Sequence, residues 1–151
     1  MTRILFICMG NICRSPIVEA VARVEFDRAG VIAEVASAGT ENYHVGAPAD
    51  HRAIAVAEAH GYPLAAHRAR QVRTEDFASF DQILAMDRVN LRALQRFRSE
   101  PGGTEPALFL GDAEVPDPYY GTKKDFERVV ALAQRGVAAL IMSLRAPAGS
   151  F

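Results

Sequence analysis

Residues 3 to 8, Arg-Ile-Leu-Phe-Ile-Cys, form an apolar run with no polar interruption after Arg3. A strand with one wet face alternates apolar and polar side chains. A run without alternation predicts a strand covered on both faces, as in the middle of a parallel sheet with helices on either side. The run stops at Met-Gly-Asn, and helical spacing takes over: Ile17, Val21 and Val24 recur on one face, with Val18 and Ala22 beside them. Ser15 is expected to cap this helix, Pro16 suits its first turn and Gly30 its end.

The same alternation continues along the chain. Val31 to Ser37 reads as a second strand and residues 37 to 50 as a loop rich in turn formers. Asp50 caps a helix running to about His60, which Gly61 and Pro63 stop. Phe77 and Phe80 mark a short helical piece, Gln82 to Met86 a third strand, Asp87 to about Arg98 a helix, and residues 107 to 111 a fourth strand. Phe126, Val129, Val130, Ala133, Val137, Leu140, Ile141 and Leu144 make one face of a last helix. Strands separated by helices pair in parallel through right-handed crossovers, which predicts a three-layer α/β fold.

A length of 151 residues suits one core better than two, so residues 1–151 are expected to form a single domain. Half of the residues are apolar, 23% are charged and the net charge is -1, which points to a soluble globular chain. No nucleic-acid or membrane partner is implied. The opening apolar run is too short for a signal peptide or a membrane span, so a cytoplasmic location is the expectation. The two cysteines, Cys8 and Cys13, share one short loop and offer no disulfide framework.

That loop, CMGNICRSP at residues 8 to 16, lies where an open α/β sheet binds ligands, past the carboxyl end of a strand. Met9, Gly10, Asn11, Ile12 and Cys13 separate Cys8 from Arg14, enough for a curl whose backbone N–H groups point inward around an oxyanion. Gly10 permits close approach of the backbone to a phosphate, and Asn11 tolerates a left-handed turn. The positive end of the following helix favours an anion there and the thiolate form of Cys8. Arg14 can donate two parallel hydrogen bonds to phosphoryl oxygens, which lysine cannot. The glycine spacing and the missing GK[ST] ending exclude a Walker-type nucleotide cradle. By itself C-x5-R is a weak signal, equally readable as a buried cysteine and a surface charge. The longer pattern between a strand and a helix favours chemistry. His44, His51, His60 and His67 lack metal-ligand spacing, so no metal is expected.

The chain resembles the low-molecular-weight protein tyrosine phosphatases. The resemblance rests on Cys8 to Pro16, SAGT at 37 to 40, HRARQ at 67 to 71, EDFASFDQILAMD at 75 to 87, PDPYYG at 116 to 121 and DFE at 125 to 127. It implies a four-stranded parallel sheet of order 2-1-3-4. It also implies hydrolysis of phosphotyrosine and small aryl phosphates, without metal or cofactor, through a phosphocysteine intermediate. Phosphotyrosine-containing proteins are the implied partners, with a tyrosine kinase a candidate among them.

By the same resemblance Cys8 attacks phosphorus, while Arg14 and the loop amides of Met9 to Cys13 hold the oxygens. Asp117, which otherwise reads as a turn residue between prolines, is the proton donor. Ser15 supports the thiolate, and Asn11 is tied to Ser37 and His67. Tyr43, Tyr119 and Tyr120 line the cleft, His44 tunes substrate preference, and Cys13 is a redox partner for Cys8. Arg68, Arg70 and Arg73 read as a solvated charged face. An arsenate reductase of similar fold draws on cysteines outside the loop, and this chain has none. A binding or redox-sensing module is the other alternative, yet nucleophile, arginine and acid are all present.

Overall fold

The computed structural model describes residues 1–98 and 102–145. Its sheet is built around β1 (Thr2–Cys8), which pairs in parallel with β2 (Ala33–Gly39) on one side and β3 (Gln82–Ala85) on the other. A two-residue β4 (Ala107–Leu108) adds to β3, giving the order β2-β1-β3-β4 that the resemblance implies. The helices are α1 (Arg14–Ala29), α2 (His51–Ala59), the single turn α3 (Asp76–Ser79), α4 (Arg88–Ala93) and α5 (Lys123–Arg145).

The unalternating opening run has the physical cause expected of it. Ile4, Phe6 and Cys8 face a core shared with α1, α2 and α5, while Leu5 and Ile7 face a second core with Phe77, Phe80 and Leu94. All four residues from Ile4 to Ile7 are fully buried. Phe6 meets the Phe109 ring edge to face at 5.6 Å between centroids. Among the described residues no helix is long and apolar enough to cross a membrane.

Several boundaries differ from the sequence reading. Helix α1 starts at Arg14 with Cys13 in the cap position and no side-chain cap bond, so Ser15 does not cap it. Its hydroxyl is engaged with Cys8 and Asn11 instead. Strand β2 begins two residues late because Val31 serves the end of α1. Gly30 turns left-handed with φ 70°, and Val31 N donates to Phe26 O at 2.9 Å, a helix-terminating pattern that packs Val31 on the core. The fourth strand stops at Leu108, where Phe109 turns in toward the core and Gly111 N donates back to Leu108 O. The helix expected to reach Arg98 is α-helical only to Ala93 and tightens into a 3-10 turn over Leu94–Phe97.

Candidate active site

The phosphate-loop candidate leaves β1 at Cys8 and hangs from its neighbours by main-chain hydrogen bonds. Thr40 N donates to Cys8 O at 3.0 Å, Glu41 N to Met9 O at 3.0 Å and Asp50 N to Ile12 O at 2.8 Å. Asn11 takes a φ of 60°, alone among the described non-glycine residues. A left-handed residue there lets the loop reverse, and asparagine adopts it at low cost.

Gly39, at the end of β2, is where the fold demands a glycine. A Cβ there would lie 2.6 Å from Met9 O and 3.2 Å from Gly10 C, both backbone atoms. Gly39→Ala is therefore expected to push the loop outward, at a stability cost of roughly 1–3 kcal/mol for the overpacking. Thermal denaturation together with a phosphatase assay checks this, and unchanged stability with unchanged kcat would refute it. At Gly10 the crowding is of another kind, since a Cβ would meet the His44 ring at 3.0 Å.

Cys8 is buried at 3% exposure with its sulfur held from two sides. Asn11 N donates to Cys8 Sγ at 3.3 Å, and Ser15 Oγ lies 3.0 Å from the same atom. Asn11 organises the surroundings. Its Nδ2 donates to Ser15 Oγ at 2.9 Å and to Ser37 Oγ at 3.0 Å, while its Oδ1 accepts from Arg70 N at 3.0 Å. Ser37 in turn donates to Glu19 at 2.6 Å. His67 Nε2 donates to Asn11 O at 2.7 Å, so His67 and Ser37 both reach Asn11, one through its backbone and one through its amide. Because Ser15 Oγ accepts from Asn11, its own proton is free for the Cys8 sulfur.

Arg14 is 3% exposed and spends Nη1 on the framework, donating to Asp87 Oδ2 at 2.7 Å and Val115 O at 3.0 Å. Its Nη2 lies 3.8 Å from Asp117 Oδ2. Burial acts to lower the Arg14 pKa. The neighbouring Cys8 and the hydrogen bond and charge of Asp87, with Asp117 beyond, outweigh it and raise the pKa above the usual arginine value. The guanidinium is charged at every working pH. Burial also pushes the Cys13 thiol well up, with the charges of Asp50, Cys8 and Asp117 acting in the same direction, so Cys13 stays a protonated thiol at neutral pH.

Cys8, Met9, Gly10, Ile12, Cys13 and Arg14 form the floor of a cavity of about 340 Å³, with Tyr43, His44, Asp117, Tyr119 and Tyr120 as its walls. Tyr119 and Tyr120 meet edge to face at 4.9 Å, and Tyr119 N donates to Asp117 Oδ1 at 3.1 Å. Tyr43 and Tyr120 are exposed, whereas His44 is half-buried against the loop. Residues far apart in sequence thus meet in one cleft. Among the described residues no group of three or more His, Cys, Asp or Glu is arranged to hold a metal ion.

Asp87 was legible in the sequence only as a helix start. It does cap α4, through Oδ1 to Asn90 N, but its other oxygen holds Arg14. Arg70 does not belong to a solvated face either. It pairs with the buried Asp76 at 3.0 Å and steadies Asn11 through its backbone, while Arg68 and Arg73 are exposed as expected.

Comparison with known proteins agrees with this geometry. Residues 3–148 match the low molecular weight phosphotyrosine protein phosphatase family. A low molecular weight protein-tyrosine-phosphatase of Streptomyces coelicolor is 39% identical, covering 95% of this chain and 93% of that protein. A human low molecular weight phosphotyrosine protein phosphatase is 43% identical over 83% and 85%. A crystal structure of a protein tyrosine phosphatase from Entamoeba histolytica superposes with a TM-score of 0.89 at 36% identity, covering 95% and 97% of the two chains. With fold, loop and near full-length matches in agreement, the chain belongs to the low molecular weight phosphotyrosine protein phosphatase family.

Proposed function

We propose that the chain hydrolyses phosphotyrosine in proteins, and small aryl phosphates, through a covalent phosphocysteine and without a metal. The observation that carries this reading is the meeting of Cys8 Sγ, Arg14 and Asp117 in one cavity walled by aromatic rings. A solved relative from Vibrio vulnificus, 30% identical, is described in complex with benzylphosphonate, an aryl-bearing phosphoryl analogue.

In the first step the Cys8 thiolate attacks phosphorus, an S–P bond forms and the bond from phosphorus to the phenolic oxygen breaks. Asp117, as the carboxylic acid, gives its proton to the departing oxygen. The backbone N–H groups of the loop and the Arg14 guanidinium hold the equatorial oxygens as charge shifts onto them. In the second step Asp117, now a carboxylate, takes a proton from water, whose oxygen attacks phosphorus. The S–P bond breaks and inorganic phosphate leaves. Ser15 and Asn11 N stabilise the Cys8 thiolate as it departs.

The test is hydrolysis of para-nitrophenyl phosphate with chelator and reductant present, followed by acid quench and mass analysis. Undiminished turnover and a phosphoryl group on the peptide carrying Cys8 support the reading. Loss of turnover with chelator, or a label on another residue, overturns it.

Cys13 carries a second, redox reading on the same site. Peroxide converts the Cys8 thiolate to a sulfenic acid, and the Cys13 thiol condenses with it, releasing water and forming a disulfide that added thiol reduces. Cys13→Ser is expected to keep its initial activity and to recover poorly after peroxide followed by thiol. Equal recovery by variant and parent would dismiss the role.

A further inference from the structure

Outside the cavity, Arg52 occupies a position that the reaction steps above leave unused. It lies in the first turn of α2, two residues past the cap Asp50. Its Nε and Nη2 donate to both carboxylate oxygens of Asp50, at 3.1 Å and 3.0 Å, and Asp50 is itself fastened to the phosphate loop through its N–H to Ile12 O. On the other side Arg52 Nη2 donates to Tyr119 O at 3.0 Å, and the guanidinium lies over the rings of Phe126, at 4.7 Å, and Tyr119, at 5.6 Å. Tyr119 N then holds Asp117 Oδ1.

These contacts close a circuit from the loop that binds phosphate to the loop that carries the acid. It passes from Ile12 O to Asp50, through Arg52 to Tyr119, and on to Asp117, whose other oxygen faces Arg14. Asp117 is about half exposed, its side chain being 47% accessible, and besides the Arg14 guanidinium at 3.8 Å it is held by Tyr119 N at 3.1 Å. A carboxylic acid in that setting is aimed by its backbone, and the backbone is aimed by what grips Tyr119 O. A planar fork suits the task, because it bonds Asp50 with one edge, keeps a donor for Tyr119 and stacks between two rings.

We infer that Arg52 is a positioning residue that fixes the acid-bearing loop in register with the phosphate loop, so that Asp117 reaches the leaving oxygen. The inference rests on the assignment of Asp117 as the acid. It makes Arg52 act on proton donation alone and leaves nucleophilic attack and phosphate binding untouched.

The experiment compares kcat/KM of the parent, Arg52→Ala, Asp117→Asn and the double variant on two esters. Phenyl phosphate has a basic leaving oxygen that needs the proton, and 2,4-dinitrophenyl phosphate has one that does not. The quotient kcat/KM runs from free enzyme to release of the phenol, so it reports the first step and not the later attack of water. Arg52→Ala is expected to lose about ten- to a hundredfold on phenyl phosphate, the upper figure being the scale of a group misplaced by about 1 Å, and to change little on the dinitrophenyl ester. The double variant is expected to match Asp117→Asn alone, because Arg52 acts only through that residue.

Both esters are read on one preparation, so partial unfolding scales them equally and leaves their ratio unchanged. An equal loss on the two esters in Arg52→Ala, no loss at all, or additive losses in the double variant overturns the inference while the acid assignment stands. If Asp117→Asn itself loses both esters equally, the acid assignment fails and the role of Arg52 fails with it.

Discussion

Cys8→Ser is expected to lower para-nitrophenyl phosphate turnover by about 10⁵-fold or more, the scale of nucleophile removal in covalent hydrolases, with the fold retained. The substitution exchanges one small buried group for another, and Asn11 N and Ser15 can still bond an oxygen at that place. What changes is the species available for attack. A serine hydroxyl is scarcely ionised near neutral pH, and the groups that hold this position, Asn11 N and Ser15 Oγ, are hydrogen-bond donors and not a base that could take its proton. Arg14 and the loop amides are untouched, so the variant is expected to bind a phosphotyrosine peptide without consuming it. Calorimetric titration and the colorimetric assay together check both halves. Turnover within tenfold of the parent would remove Cys8 from its role.

Asp117→Asn is expected to cost about 10² to 10⁴ in kcat/KM for phenyl phosphate, the usual range for a lost general acid. The amide keeps the shape of the side chain and its bond to Tyr119 N, but has no proton to give to a phenolate. Because the carboxylate lies 3.8 Å from Arg14 Nη2, its removal also frees the guanidinium from a competing anion. Inorganic phosphate is therefore expected to inhibit the variant at least as well as the parent. A large rise in the inhibition constant would mean that Asp117 serves chiefly to hold the loop closed.

Much of this layout was legible in the chain because its causes are local. The loss of alternation at Ile4 to Ile7, the helical spacing after Pro16 and the glycine at position 30 each act within one element, and each is where it was expected. The Ser15 cap failed for a reason of chemistry, since one hydroxyl cannot serve both a helix end and the Cys8 sulfur. The partners of Arg14 were not legible. Asp87 and Val115 lie 73 and 101 residues away, and nothing in composition or periodicity joins such positions. The same holds for Arg70 and Asn11, 59 residues apart. The loop from Cys8 to Arg14 is written in one contiguous stretch, whereas its supports are written across the chain and assembled by the sheet.

Peptide groups, not side chains, suspend the loop at Cys8, Met9 and Ile12. The loop contributes carbonyl oxygens to these bonds, and every residue carries one, so side-chain substitutions at Met9 and Ile12 are expected to leave the suspension intact while changing the cavity floor that a substrate meets. The shape of the cradle is thus held by the main chain, while the surface it offers to a bound group is set by side chains that the suspension does not use.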